Sequence, residues 1–379
     1  MAEHRSGPSR RPAAAVVLAA ALAAAFAPDL PGGPDPSAPG VGRGAPITLV
    51  TELAAARRGP VAGVLAVASG RVLHVAAGAP AGGDGTSAAP FAGVQAALEA
   101  AGPGDTVLVA PGRYPGRIVS VRAGTPDAPI RLVGTGGAHL FADGAGRLLT
   151  IRHDHLVVEG FELSTANIAV VLEGADGVRL DRNWIHGTRS ECVRLRAGAS
   201  ANVVVHNVIR ECGLAFDGAN GEAIYVGTAP EKLHENAGPD GSAAGPDHSD
   251  GNLLWGNDIV VWGECVDIKE DADDNQVIEN WCRGGSYVSG AGLSSRGHRT
   301  VFVNNWSTDH LGSGLQLAGD RPGDGSGSVV TGNVLTGNAQ YGLKIVQGAT
   351  PQQRLCGNVL AGNGRAPATP LGAGADGPC

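Results

Sequence analysis

Three glutamates open three similar six-residue segments and are the first candidates for chemistry in this chain. The segments are 191–196 (ECVRLR), 222–227 (EAIYVG) and 264–269 (ECVDIK). If they stack as neighbouring strands, about 4.8 Å apart, Glu191, Glu222 and Glu264 form a column whose like charges raise one another's pKa or bind a cation. Oxygen-only ligands indicate Ca²⁺. The alternative is that the three side chains splay into water at a turn and never converge.

The elements that position these glutamates belong to a repeat in the second half of the chain. Each repeat is a short apolar strand, an Asn, and a second short strand that opens with Gly or Glu. The recurring asparagines are Asn183, Asn207, Asn257, Asn280, Asn305, Asn333 and Asn358. A fixed period of about 25 residues with Gly corners predicts an all-β, right-handed parallel β-helix, a solenoid in which the asparagines stack between turns.

The strands that carry the glutamates have apolar residues with a period of two. In the third segment this pattern places Val266 and Ile268 inward. Cys265, Asp267 and Lys269 are then expected to point outward. The outward face of this sheet is therefore where we expect the chemistry.

A helix is predicted before the repeats. Residues 90–101 (PFAGVQAALEAA) are amphipathic, and residues 102–105 (GPGD) end the helix. A helix at this point is expected to cap the open end of the solenoid, where unpaired strand edges would otherwise be exposed. Early strands are expected at 106–110, 130–133, 148–151 and 157–163.

The first 27 residues predict a signal peptide, since three arginines precede an apolar run at 13–27 that is too short to span a bilayer. The Arg10–Arg11 pair permits twin-arginine export. Residues 28–70 are assigned to a linker or N-terminal extension and residues 71–379 to the β-helix domain. Six cysteines in an exported protein predict disulfides. Cys356–Cys379 is the pair that we expect, and the other pairings stay open.

The acidic charge of the chain is concentrated in one region. The formal net charge is −8, and residues 220–274 hold thirteen Asp and Glu against two Lys. Such a patch disfavours nucleic acid as a partner. It fits cation binding or a solvated acidic surface. No stretch after the signal peptide is apolar and long enough to predict a membrane span.

The region before the repeats resembles a known architecture. Residues 82–87 (GGDGTS), 90–91 (PF), 102–105 (GPGD) and 111–114 (PGRY) resemble the capping region of secreted right-handed parallel β-helix proteins. These include pectate-lyase-like and chondroitinase-B/alginate-lyase-like enzymes. The resemblance covers about residues 72–363 as a repeat architecture, and it indicates the fold more than the activity.

A more specific resemblance lies in residues 263–269 (GECVDIK) and 292–298 (GLSSRGH). They resemble the Glu-x-Glu…Lys strand of chondroitinase-B-like and alginate-lyase-like enzymes and the turn that follows it. The resemblance implies that Glu264 and Asp267 hold Ca²⁺ against a uronate carboxylate. It also implies that Lys269 takes the C5 proton and that Arg296 stabilises the charge or acts as the acid.

The match has two departures in spacing. Lys269 follows Glu264 by five residues, two fewer than in the family pattern, and Asp267 follows it by three, one more. A Lys between Arg296 and a bound cation is expected to have a lowered pKa, as a general base requires. The alternative interpretation of Asp267, Lys269 and Glu270 is an exposed, salt-bridged strand.

Other polar residues of the repeats are weaker candidates. Those expected to bind substrate occupy the fourth position of the aligned strands: Arg194, Tyr225 and Gln316. His298 is a candidate acid or a turn cap. Lys344, farther along the same alignment, is expected at the surface.

These patterns together predict a secreted, monomeric polysaccharide lyase. It would cleave an acidic, uronate-containing polysaccharide by Ca²⁺-assisted β-elimination, with no nucleic acid or membrane as a partner. Two alternatives stay open. One is a hydrolase or C5-epimerase that uses the same groove, and the other is a non-catalytic carbohydrate-binding or surface solenoid whose glutamates bind a structural cation.

Overall fold

A computed structural model describes residues 70–215, 221–236, 245–285 and 290–379. The predicted signal peptide and nearly all of the predicted linker lie outside the described residues. Export and the domain boundaries therefore stay predictions.

Short strands make up almost all of the regular structure in the described residues. The first ten strands are β1 (Val72–Val75), β2 (Thr106–Val109), β3 (Gly112–Pro115), β4 (Ile118–Val119), β5 (Ile130–Gly134), β6 (Ala138–Phe141), β7 (Arg147–Ile151), β8 (Leu156–Glu159), β9 (Glu162–Ser164) and β10 (Ile168–Glu173). The next ten are β11 (Arg179–Asp181), β12 (Trp184–His186), β13 (Val193–Arg196), β14 (Val203–Val205), β15 (Val208–Arg210), β16 (Ile224–Val226), β17 (Leu253–Trp255), β18 (Asp258–Val260), β19 (Val266–Ile268) and β20 (Gln276–Ile278). The last ten are β21 (Trp281–Arg283), β22 (Ala291–Ser295), β23 (Val301–Val303), β24 (Trp306–Thr308), β25 (Ser313–Leu317), β26 (Val329–Thr331), β27 (Val334–Thr336), β28 (Tyr341–Ile345), β29 (Arg354–Cys356) and β30 (Ala366–Ala368).

The strands form three parallel sheets that run the length of the molecule. Sheet 1 has eleven strands in the order β1-β2-β5-β8-β11-β14-β17-β20-β23-β26-β29. Sheet 2 has nine, from β3 to β27, and sheet 3 has ten, from β4 to β30. From β2 to β29 the chain visits the three sheets in turn, so each strand pairs with the strand one coil later. The fold is the predicted parallel β-solenoid.

Alternating side chains build the core inside the coil. Val266 of β19 pairs with Ile224 of β16 and Leu293 of β22, and all three are fully buried. Burying such a side chain stabilises the fold by about 1.5–3 kcal/mol, and the stacked strands repeat this gain in every coil. The inward positions of Val266 and Ile268 confirm the predicted period of two.

The predicted asparagine ladder is present. The amide Nδ2 of Asn257 donates to Oδ1 of Asn280 at 2.9 Å and to the carbonyl of Val204 at 2.9 Å. The same pattern links the ladder from Asn183 to Asn358. Each buried side-chain amide thereby forms hydrogen bonds with backbone groups at a corner where the strands stop pairing. Buried polar groups need such hydrogen-bond partners.

A second ladder was not identified from the sequence repeat. Asn202 donates to Asn252 at 3.1 Å, and Asn252 donates to Asn275 at 3.0 Å. These residues lie at the turn that precedes sheet 1. Their spacing is obscured by the insertion between β16 and β17, which separates the first two members by 50 residues.

Three disulfides use all six cysteines. Cys356–Cys379 is confirmed, and the other pairs are Cys192–Cys212 and Cys265–Cys282. The prediction that Cys265 points outward is wrong, because this residue is fully buried and belongs to the core. Cys265 precedes β19 at the corner between two sheets, where the strand alternation does not yet apply. Its side chain crosses the interior to sheet 2.

The predicted N-terminal helix is shorter than the sequence pattern indicated. Helix α1 spans Val94–Ala100, and Val94, Ala97 and Leu98 are buried in the core beside β1 and β2. Its capping role stays a prediction. Two 3₁₀-helices lie at Pro230–Asn236 and Pro370–Gly372. Among the described residues, no helix is both long enough and apolar enough to cross a membrane.

Candidate functional site

Sheet 3 has the register that the sequence alignment predicted. Asp267 of β19 lies between Tyr225 of β16 and Ser294 of β22. From β13 onward the outward column reads Arg194, Tyr225, Asp267, Ser294, Gln316 and Lys344. Successive strands are about 4.8 Å apart, so this column extends over about 24 Å along the solenoid.

Glu222, Glu264 and Asp267 form an acidic cluster at the middle of this column. One carboxylate oxygen from each residue lies within 4.8 Å of those from the other two. All three residues are buried, and Asp267 is only 1% exposed. Within the described ranges, neither Glu222 nor Glu264 has a Lys, Arg or His nitrogen within 4.0 Å. Two buried carboxylates thus lie side by side without a cationic partner of their own.

The pKa values of the three carboxyl groups in the cluster are shifted in different directions. Burial, with the charges of Asp267 and Glu191, raises the pKa of Glu222 to about 8. Burial and then the charge of Asp267 raise the pKa of Glu264 well above its ordinary value. Burial also opposes ionisation of Asp267, but the charges of Lys269 and then Arg296 outweigh it and lower its pKa. Burial and the charge of Asp267 thus favour the protonated forms of Glu222 and Glu264, whereas Lys269 and Arg296 favour the ionised form of Asp267.

Two cations bind the ionised member of the cluster. Nζ of Lys269 lies 2.5 Å from Oδ2 of Asp267, and the Arg296 guanidinium donates to Oδ1 at 3.1 Å. Lys269 follows β19 directly, and the backbone N–H of Arg296 donates to the carbonyl of Ile268, so the two cations occupy successive coils. The Lys269 side chain is only 12% exposed. The alternative of an exposed, salt-bridged strand therefore does not describe this site.

The expected lowering of the Lys269 pKa is not found. Burial lowers the pKa of this ammonium, but the charge of Asp267 and then Tyr225 raise it by more, to above its ordinary value. The cause is the Asp267 carboxylate, which lies 2.5 Å from Nζ. The sequence predicted that Asp267 and Lys269 share a face of the strand, but it did not predict this contact. The pKa of Arg296 is raised for a similar reason: burial opposes its charge, and Asp267 and Glu270 stabilise it.

Glu191 lies outside the acidic cluster. It occupies the predicted place in the column, since the N–H of Cys192 donates to the carbonyl of Glu222. However, its carboxylate accepts from Arg194 at 3.2 Å and from the Ser190 hydroxyl at 2.5 Å. Glu191 is thus neutralised by a salt bridge to Arg194. The structure brings together three of the four predicted metal ligands.

The predicted substrate-binding residues flank the cluster on both sides. The ring of Tyr225 has the Arg194 guanidinium 4.9 Å and the Lys269 ammonium 4.8 Å from its centroid. Burial is the main cause of a raised pKa at Tyr225. Gln316 lies two strands beyond Asp267, and its buried Oε1 has no hydrogen-bond partner among the described residues.

His298 lies away from the cluster. Its backbone N–H donates to Asp273, its Nδ1 is 3.2 Å from the Ser326 hydroxyl, and its Nε2 is 4.0 Å from Asp324. These contacts place it in the turn that follows β22. The structure does not bring His298 to Lys269 or Arg296.

Two residues of the site were missed from the sequence. Glu270 is 1% exposed, burial raises its pKa, and the Arg296 Nε lies 3.5 Å from its Oε1. Its position directly after Lys269 was the available signal. Glu235, from the insertion between β16 and β17, lies 3.5 Å from Arg194. No sequence pattern indicated where this insertion would fold.

Comparison with solved structures supports the fold. The chain is similar to an alginate lyase from Paenibacillus sp. str. FPU-7, with 23% identity and a TM-score of 0.61 over 78% of this chain and 97% of that one. It is also similar to pectate lyase Pel9A, with 16% identity and a TM-score of 0.53 over 79% and 81%. A third similarity is to the GH136 lacto-N-biosidase from Eubacterium ramulus, with 12% identity and a TM-score of 0.52 over 79% and 65%.

These similarities define a pectate-lyase-like β-helix and, at such low identity, the fold alone. No protein-family model matches the sequence, and no curated protein matches it.

Proposed function

We propose that this protein is a secreted polysaccharide lyase that cleaves an acidic, uronate-containing polysaccharide by Ca²⁺-assisted β-elimination. The observation that carries the proposal is the pairing of Lys269 and Arg296 with a buried acidic cluster on the outward face of sheet 3. The fold it shares with an alginate lyase and a pectate lyase supports the class of substrate. Three disulfides fit an extracellular location.

The acidic cluster fits a calcium ion by its donor set. It offers only oxygen ligands, from Glu222, Glu264 and Asp267, and two of these carboxylates have no cationic partner. Ca²⁺ bound there would neutralise the uronate carboxylate and so make the neighbouring C5 proton more acidic. A cation binds the ionised carboxylates, so the raised pKa values of Glu222 and Glu264 would couple cation affinity to pH.

Lys269 is the proposed base. In the elimination the C5 proton passes to Nζ, the C5–H electron pair forms the C4–C5 double bond, and the glycosidic oxygen leaves C4 and takes a proton from water. Lys269 must be neutral to accept that proton. The Asp267 carboxylate keeps it charged, so the ligand role proposed for Asp267 would also release the base, because it draws negative charge away from Nζ.

Arg296 is the proposed stabiliser of negative charge. Its raised pKa keeps it protonated, so it suits charge stabilisation better than proton donation. It donates to Asp267 at 3.1 Å, and its side chain is 25% exposed, so a ligand can reach part of it. A fixed cation beside the reacting carbon stabilises charge that develops in the transition state.

A second candidate function is non-catalytic binding of the same class of polymer. The observation that favours it is the raised pKa of Lys269, which leaves the residue in its charged form beside Asp267. In that case Lys269 and Arg296 would bind uronate carboxylates and the acidic cluster would hold a structural cation.

One experiment separates these functions. The protein is incubated with alginate, pectate and chondroitin or dermatan sulfate in the presence of Ca²⁺, and the ultraviolet absorbance of the unsaturated product is followed. A lyase produces this signal on at least one polymer, and replacing Lys269 by Ala lowers the rate by about 10²–10⁴-fold. Arg354→Ala, an exposed change on β29 of sheet 1, is the control.

The negative outcomes are also specific. A folded, Ca²⁺-loaded wild type that yields no unsaturated product on any polymer would refute the lyase proposal. Binding without turnover would support the second candidate. Exchange of the C5 proton with solvent, without chain cleavage, would indicate an epimerase.

A further inference from the structure

The outward column of sheet 3 ends at a lysine that the proposed reaction does not use. Lys344 of β28 pairs with Gln316 of β25 and so lies three strands beyond Asp267. Its pKa is lowered by burial and by the charge of Arg365, while the charge of Glu264 acts in the opposite direction. Lys344 thus lies on the same outward face of sheet 3 as the acidic cluster and is partly exposed.

Lys344 and Arg365 form a pair of cations without a counter-charge. Within the described ranges, neither has a carboxylate oxygen within 4.0 Å. Arg365 directly precedes β30, and its guanidinium lies 5.1 Å from the ring centroid of Tyr341, the first residue of β28. The other two lysines of the chain are both paired with a carboxylate, Lys232 with Glu235 and Lys269 with Asp267. An unpaired, half-buried ammonium beside a guanidinium favours an anionic ligand.

The outward face of sheet 3 between the acidic cluster and this cation pair carries buried polar groups that have no hydrogen-bond partner. Ser294 is 1% exposed and Gln316 is 8% exposed, although both side chains lie on the outward face. The hydroxyl of Ser294 and Oε1 of Gln316 have no hydrogen-bond partner among the described residues. Buried polar atoms of this kind usually have a hydrogen-bond partner, and here the described residues supply none. Hydroxyl groups of a sugar would satisfy them.

We propose that Lys344 and Arg365 form a second anion-binding subsite, which takes the acidic group of another sugar of the polymer bound at the acidic cluster. The inference rests on the proposed binding of an acidic polysaccharide at sheet 3. It adds that the polymer runs along the solenoid axis over Ser294 and Gln316. Three strand spacings separate the two sites, about 14 Å, so only an oligosaccharide of several sugars reaches both.

The test measures affinity against chain length. Oligogalacturonates and oligoalginates from disaccharide to octasaccharide are titrated by calorimetry in the presence of Ca²⁺, in a Lys269→Ala background that prevents turnover. The double variant Lys344→Gln/Arg365→Gln should lose about tenfold or more in affinity for the long oligosaccharides, as expected for lost charge-assisted hydrogen bonds. Disaccharides that bind at the acidic cluster should keep their affinity.

The control removes the same two charges elsewhere. Arg117→Gln/Arg354→Gln changes two exposed residues outside the outward column of sheet 3 and should bind long and short oligosaccharides as the parent does. Equal affinity of both double variants for the octasaccharide would overturn the subsite, and so would a loss that does not depend on chain length. Thermal unfolding confirms that each variant is folded.

The outcome separates this inference from the proposed catalysis. Unsaturated product with no effect of the Lys344 and Arg365 changes would refute the subsite and leave the lyase intact. Length-dependent binding that needs both residues, together with no unsaturated product from the wild type that retains Lys269, would support the subsite and refute the lyase. Absence of binding by any oligosaccharide would overturn the subsite.

Discussion

The protonation of Glu222 makes the stability of this protein depend on pH in an unusual direction. Its pKa is raised from 4.5 to about 8, chiefly by burial. The folded protein therefore keeps a proton that the unfolded chain releases as the pH rises above about 4.5. The stabilising contribution is fully present below that pH and is lost as the pH rises to about 8.

The magnitude follows from the size of the shift. Each pH unit between the two pKa values is worth about 1.4 kcal/mol, so the loss from Glu222 reaches at most about 5 kcal/mol. Glu222→Gln replaces the protonated carboxyl by a neutral group of the same shape and removes this titration. The stability of wild type relative to the variant should therefore fall by about 4 kcal/mol between pH 5 and pH 9, because part of the loss occurs below pH 5.

The assay is urea unfolding in the presence of a chelator at several pH values from 5 to 9. Glu231→Gln, an exposed change on the 3₁₀-helix, serves as the control and should follow wild type at every pH. Added Ca²⁺ at pH 8 should restore the stability of wild type more than that of Glu222→Gln. A difference between wild type and Glu222→Gln that does not change with pH would refute the reasoning, because it would mean that Glu222 titrates like an exposed carboxylate.

Two further changes test the architecture and the charge pairing. Asn280→Ala should lower the free energy of unfolding by at least about 2 kcal/mol, because it leaves the buried amide of Asn257 and the carbonyl of Leu254 without their partner. Asp267→Asn should cost about 3 kcal/mol or more, because Lys269 loses its buried counter-charge. Chemical denaturation measures both changes. A loss below about 0.5 kcal/mol would contradict either prediction.

The repeat architecture could be predicted because it depends on patterns among residues that are close together in the sequence. The asparagines recur at one phase, and the alternation that places Val266 and Ile268 inward depends only on residues next to each other. The prediction was wrong for Cys265, which lies at a corner where the direction of the side chain depends on the bend rather than on the strand period. The second asparagine ladder was missed because the insertion interrupts its spacing.

For the candidate site, the sequence predicted only which residues occupy equivalent positions on neighbouring strands of sheet 3. The register placed Asp267 beside Tyr225 and put Lys269 and Arg296 on successive coils. It could not tell that Arg194 engages Glu191, because that contact depends on the rotamers of two long side chains.

The amino-acid sequence by itself determined the solenoid, the ladder that ties its coils, and the face on which the acidic residues gather. These features follow from the alternation of apolar and polar residues and from the regular spacing of the asparagines, both of which can be read directly from the sequence. Only the tertiary structure decided which carboxylates meet, how deeply they are buried, and that Asp267 keeps Lys269 charged. Burial and charge pairing depend on distances of a few ångströms between residues that are far apart in the chain, and no spacing along the sequence sets those distances.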